Sequence, residues 1–141
     1  MRTYYIFRVK KEFRNLFKDN PKGLFMSFKR IYNMNKEDID FGYNLFNQLI
    51  EVLEKEQLDR YLFIKLHNKM FYTKQDEDHV INNLYKDEVS ILRVKNSYMK
   101  LEVNKDSSMF FNILYNYYEE YFVCDFENFD YFYLKDIKIL V

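Results

Sequence analysis

Residues 3–9 alternate, and residues 11–17 do not. Tyr5, Phe7 and Val9 fall on one side of an extended chain, with Tyr4, Ile6 and Arg8 on the other. That is the two-residue period of a strand. From Lys11 the period lengthens: Phe13, Leu16 and Phe17 stand at i, i+3 and i+4, one stripe of a short helix. A chain that opens on a strand and turns at once to helix must find that strand's neighbours later. The last third supplies them. "VSILRV" and "YMKLEV" flank Lys95-Asn96-Ser97, a hairpin signal. In the second of these, Met99, Leu101 and Val103 alternate with Lys100 and Glu102, so one face is buried and the other wet. "YFVCDF" and "FDYFYL" follow, joined at Glu127-Asn128. Strands at both ends with helices between predict an α+β fold: a single, mainly antiparallel sheet with several helices packed on it.

The helices have legible boundaries in places. Asn20-Pro21 ends the first and opens a second, Asn20 as cap and Pro21 at the first position, where a missing N–H costs nothing. Leu24, Phe25, Phe28, Ile31 and Tyr32 form the buried stripe of that second helix. Asn35 starts a third, whose expected core positions are Ile39, Leu45, Phe46, Leu49, Val52 and Leu53, with Gly42 marking close packing or a bend. Asp106 or Ser107 caps a helix carrying Phe110, Ile113, Leu114, Tyr117 and Tyr121 on one stripe. Residues 58–87 are less legible. "YLFIKL" fits a strand or the end of a helix, "KMFYTK" reads as extended, and "DEDHVINNLY" reads as a loop with one short helix.

The length of 141 residues fits a single domain spanning 1–141. No stretch is apolar over 18 residues, and no leader peptide pattern opens the chain, so a cytoplasmic protein without membrane contact is expected. Cys124 is the only cysteine, which excludes an internal disulfide. Lys, Asn, Ile, Tyr and Phe are abundant while Ala and Trp are absent; these residues share A/T-rich codons and point to an AT-rich bacterial or phage genome. The 21% aromatic content therefore marks no site by itself. Net charge is zero but uneven. Residues 1–30 hold nine Lys/Arg and two Asp/Glu, giving +7, and the remainder gives −7. A basic face that meets an acidic protein surface or nucleic acid is one explanation; a solvated basic helix pair is the other.

Little here does chemistry. His67, His79 and Cys124 lack the paired spacing of a zinc site, and Cys124 lies within an apolar strand, where a small buried side chain is the default. With only Gly23 and Gly42, no glycine-rich phosphate loop can be built. Asp76-Glu77-Asp78 lacks a calcium-loop pattern and reads as a solvated turn. Glu119-Glu120, at a helix end, are ill placed for the macrodipole. A non-enzymatic protein with no cofactor and no metal is expected. Lys10, Lys11, Arg14, Lys18, Lys22, Lys29 and Arg30 could meet phosphates, but no nucleic-acid-binding signature frames them.

Two stretches carry a family resemblance. "TYYIFRVKKEFRNLF" has paired tyrosines, a short strand, a Lys/Glu-rich turn, Phe, and a second aromatic four residues on. "SMFFNILYNYYEEYFVCDFENFDYFYL" has a double Phe opening a helix, Asp-Phe after a strand, and a closing aromatic-Leu. Together they resemble the sporulation inhibitor of replication proteins, SirA, over the whole chain in the same order. Tyr133 stands where the pattern leads one to expect Trp, and the tail "KDIKILV" differs. The resemblance implies a non-enzymatic inhibitor that binds the N-terminal domain of the replication initiator DnaA when a cell commits to sporulation. It implies that Phe13 and Phe17 contact that domain; among Lys11, Arg14 and Lys18, with Lys10 beside them, the two rings are expected to be partly exposed and Leu16 turned inward, the alternative being that both rings are core. No direct nucleic-acid contact is expected on this reading. Two alternatives stand beside it: a DNA-binding regulator using the basic N-terminal face, and a phage or mobile-element inhibitor of another host protein.

Overall fold

Seven strands form one antiparallel sheet in the order β2-β3-β4-β5-β1-β6-β7. The computed structural model describes residues 1–137; the end of the tail, residues 138–141, lies outside the described residues. The strands are β1 (Arg2–Phe7), β2 (Tyr72–Gln75), β3 (Asp78–Asn83), β4 (Glu88–Val94), β5 (Met99–Val103), β6 (Phe122–Asp125) and β7 (Asp130–Tyr133). Five α-helices join them: α1 (Lys11–Leu16), α2 (Pro21–Tyr32), α3 (Ile39–Leu49), α4 (Lys55–Leu66) and α5 (Met109–Tyr117).

The N-terminal strand sits between β5 and β6, with Tyr4 opposite Leu101 and Ile6 opposite both Met99 and Val123. Because side chains alternate, Tyr4 and Ile6 enter one core and Phe7 and Val9 enter another. The first core lies under α4 and α5. Leu58, Leu62 and Leu66, spaced by four, meet Leu92, Leu101, Phe110 and Leu114 there. That spacing decides "YLFIKL" as the end of a helix. The second core lies on the opposite face of β1 and β6, under α2 and the end of α3. It is built from Phe7, Leu24, Phe25, Phe28, Leu49, Phe122 and Phe126. Cys124 is buried in it, and burial pushes its thiol well above the ordinary range, which leaves it unreactive.

Several boundaries differ from expectation, each for a stated cause. "DEDHVINNLY" is mostly strand β3, followed by a 3-10 turn at Leu84–Lys86. Its polar residues are accommodated by partners from elsewhere. The fully buried His79 has Nδ1 2.8 Å from the Tyr72 hydroxyl and Nε2 2.7 Å from Asp59 Oδ1 on α4. Helix α3 stops at Leu49, so Val52 lies on extended chain and is 70% exposed, whereas Leu53 is buried. Ile39, the first residue of that helix, is also exposed rather than core. The cap of α5 is Ser108, whose hydroxyl accepts from Phe110 N–H, not Asp106 or Ser107. It wins because the buried Glu88 carboxylate stands beside it, accepting from Met109 N–H and the hydroxyls of Ser90 and Ser108, an anion at a helix N-terminus. Tyr121 is buried but lies beyond the helix, which ends at Tyr117.

Leu114 is fully buried. Leu114→Ala should cost about 2–5 kcal/mol in urea denaturation; a change within error would mean that α5 does not pack there. His79 makes a pH test. Burial lowers its pKa from 6.5, opposed by Asp59 and assisted by Lys74 and Lys55. The neutral form therefore favours folding, so its contribution is present above about pH 6.5 and lost as pH falls through the lower folded value. The midpoint should drop on acidification over that window, and His79→Gln should flatten the dependence there. An unchanged slope in the variant would exclude His79 as the cause.

Candidate protein-interaction face

Helix α1 has six residues, too few to be stable alone. Its position is set by what holds its ends. Beyond β1 the chain is gripped by the segment after α3. Val9 bridges Ile50, Glu51 N–H donates to Arg8 C=O at 2.7 Å, and Lys10 N–H donates to Leu49 C=O at 2.9 Å. Lys10 C=O then accepts from Phe13 and Arg14 N–H, starting the helix. At the far end Phe17 N–H donates to Phe13 C=O, and Phe17 C=O accepts from Asn20 N–H. Asn20 caps α2 through Gly23 N–H at 3.1 Å, as its place before Pro21 predicts. Gly23 is closely approached here: a Cβ would lie 2.5 Å from Asn20 Nδ2 and 3.1 Å from Phe17 Cδ1, so a larger residue would push on the capping side chain.

The third anchor is Arg14. Its guanidinium donates to the Tyr118 hydroxyl at 2.5 Å and lies 3.3 Å from Glu120 Oε2. Lys135 pairs with the other oxygen of Glu120 at 3.1 Å. Arg8 stacks over the Tyr118 ring at 4.3 Å, and its Nε lies 3.0 Å from Glu51 Oε2 but off the hydrogen-bond axis. Burial raises the Tyr118 pKa, with Arg14 and Arg8 opposing, so the phenol stays neutral. Glu119 and Glu120 thus follow α5 in a turn, and Glu120 serves as counter-ion to Arg14 and Lys135.

Phe13 and Phe17 are both half-buried, packed by one side against the second core. Leu16 is 70% exposed, the reverse of the inward orientation expected for it. Helical geometry explains the reversal. At about 100° per residue, Phe17 lies about 40° and Arg14 about 100° from Phe13, while Leu16 lies about 60° the other way. Arg14 must face inward to reach Tyr118 and Glu120. The inward direction therefore falls between Phe13 and Arg14, which takes Phe17 inward with them, in keeping with its packing on the second core, and turns Leu16 out. Lys10 is half-buried; Lys11 and Lys18 are exposed. The face presented is two aromatic edges and a leucine among cations. Phe13, Phe17, Lys10 and Lys18, expected as partner contacts, lie on and beside α1; Arg14, expected with them, is engaged by Tyr118 and Glu120. The signal for its role was Glu120, too distant in sequence to be paired with it by inspection. The exposed Ile39, Phe41 and Tyr43 of α3 also escaped notice, being read as part of an apolar stripe or passed over.

Among the described residues, no group of three or more His, Cys, Asp and Glu side chains could hold a metal ion. No helix there is long and apolar enough to cross a membrane.

A family model described as "Sporulation inhibitor of replication protein SirA" matches residues 2–138, nearly the whole chain. No curated protein matches the chain significantly.

Arg14→Ala should leave the fold intact but release α1. Amide hydrogen exchange at residues 13–18 should accelerate while α5 stays protected. Unchanged exchange in α1 would mean that the Arg14 clamp does not hold the helix.

Proposed function

The chain belongs to the sporulation inhibitor of replication family, SirA, and from that membership we propose that it binds the N-terminal domain of the initiator DnaA through α1. The family's name describes a regulatory inhibitor of replication linked to sporulation. DnaA as the partner, the α1 face as the contact and the cytoplasm as the place of action belong to this proposal.

The observation that carries it is the partial exposure of Phe13 and Phe17, whose other sides pack on the core, beside the exposed Leu16 on a helix anchored at both ends and through Arg14. Anchored aromatics lose little freedom on binding, and such residues dominate interface energies when a partner encloses them. Lys10, Lys11 and Lys18 surround them as rim cations, which act on encounter rate and salt dependence more than on affinity. Arg14 contributes differently: it positions the helix. The same cations suit duplex DNA, but the apolar centre of the face favours a protein partner, since phosphate recognition gains nothing from it.

Phe13→Ala and Phe17→Ala should each weaken binding to the isolated DnaA N-terminal domain by about 2–4 kcal/mol, read by calorimetric titration. Both rings also touch the core, so each variant should melt somewhat lower. Leu16→Glu separates the effects. Leu16 is exposed, so its replacement should leave the melting temperature within error and still weaken binding at least about tenfold. Three variants that fold and bind as tightly as the parent would exclude α1 as the contact. Tight, steeply salt-dependent binding to duplex DNA with no binding to the domain would favour the DNA reading.

A further inference from the structure

On the second-core face, beside α2 and α3, the rings do not close on one another. They leave a cavity of about 270 Å³ that opens to solvent. Its walls come from four separate parts of the chain. Tyr5 and Phe7 stand on β1, Phe28, Ile31 and Tyr32 on α2, and Phe46 on α3. Tyr98, from the turn before β5, and Phe126, after β6, complete it. Two of its wall pairs are stacked: Phe7 on Phe28 at 4.2 Å, and Tyr32 on Phe126 at 4.7 Å. A solvent-open cleft walled by aromatic rings keeps apolar surface wet, and an apolar occupant would remove that surface from water.

A charged cleft adjoins this cavity. Tyr5 and Tyr98 also line a neighbouring cleft with Arg93, Lys95, Lys100, Asp78 and Glu102. Arg93 is held bidentately by Asp78, at 2.7 and 3.1 Å, and Lys100 lies 3.8 Å from Glu102. Lys95 is exposed and makes no ion pair with a described residue. Three cations against two carboxylates leave that neighbouring cleft positive. Tyr5, pushed up to about 12 by burial and the nearby Tyr32 and Tyr98 phenols, stays a neutral donor at the boundary between the two spaces.

We propose that this chamber is a binding site for a small planar aromatic carboxylate, its ring among the tyrosine and phenylalanine rings and its acid group at Lys95. The ring walls select a flat aromatic body because offset and edge-to-face contacts add to simple burial, which an alkyl chain does not gain. The volume, just below the range of roughly 300–1,000 Å³ common for ligand pockets, limits the body to one or two rings. The unpaired cation selects an anion over a neutral or cationic ring. The site is separate from α1, and binding there does not depend on DnaA.

The test is titration of the full chain, without DnaA, by 2-naphthoate and by neutral 2-naphthalenemethanol. Naphthoate should saturate at one equivalent with a dissociation constant below about 1 mM, and the alcohol should bind more weakly. Lys95→Glu, a change on the exposed turn, should weaken naphthoate at least about threefold and leave the alcohol unchanged. Ile31→Trp, which fills the chamber, should weaken both at least about tenfold. Absence of saturable naphthoate binding, or binding indifferent to Ile31→Trp, overturns the proposal, and so does equal loss of both ligands in Lys95→Glu. Should Ile31→Trp not fold, ring-proton shifts of Tyr5, Tyr32 and Tyr98 in the unsubstituted protein decide: movement there on adding naphthoate supports the site, and movement only elsewhere overturns it.

Discussion

Strand β1 is hydrogen-bonded along both edges and carries large side chains on both faces. Its antiparallel pairing with β5 and β6 brings the first residues of the chain between segments about a hundred positions later. Tyr4 and Ile6 fill the core under α4 and α5, while Phe7 and Val9 fill the core under α2. Removing this strand would split the sheet and open both cores together. It also fixes where the chain emerges, because Arg8, Val9 and Lys10 continue from it straight into the grip of Leu49, Ile50 and Glu51. A six-residue helix has no stability of its own to set its direction. The orientation of α1 is inherited from β1 and locked by Arg14 on Tyr118 and Glu120.

Buried polar groups tie distant elements in the same manner. His79 joins the β2–β3 hairpin to α4, and Glu88 joins β4 to the start of α5. Asp125 joins the β6–β7 turn to the N-terminal end of β1. Burial opposes its charge, but hydrogen bonds from Asn128 and Arg2 outweigh that and hold its carboxyl below the ordinary value. In that turn Phe129 takes a left-handed backbone, φ 54°, costing roughly 1–2 kcal/mol for a residue with a Cβ. Its ring meets Phe25 edge-on at 4.9 Å, with Lys22 and Lys29 near its face. Each of these groups would be costly to bury alone, and each is satisfied by a residue that the fold, not the local sequence, brings near.

That distinction explains what could be read from the residues. β1, the Asn20-Pro21 boundary, the hairpin at Lys95–Tyr98, the body of α5 and the β6–β7 pair were legible because local rules dictate them: alternation, capping and turn chemistry. β3 was not, because Asp78 and His79 look like loop until Arg93, Asp59 and Tyr72 are in place. The end of α3 was not, because no Gly or Pro stops it; its last turn yields to the bridge between Ile50 and Val9. The short helix after β1, with Phe13 and Phe17 four residues apart, was legible from spacing, yet the inside and outside of α1 were not. On so short a helix one long-range contact, Arg14 to Glu120, moves the buried face far enough to turn Leu16 out.

On the proposed reading, β1 and Arg14 hold α1 as a ready contact surface for the initiator's N-terminal domain. Nuclear magnetic resonance of the isotopically labelled chain, titrated with the unlabelled domain, tests it most directly. The largest amide and methyl shifts should fall between Lys10 and Lys18, Leu16 among them, with the β3–β4 face unmoved. Shifts concentrated on β2, β3 and β4, with residues 10–18 unchanged at saturation, would contradict it.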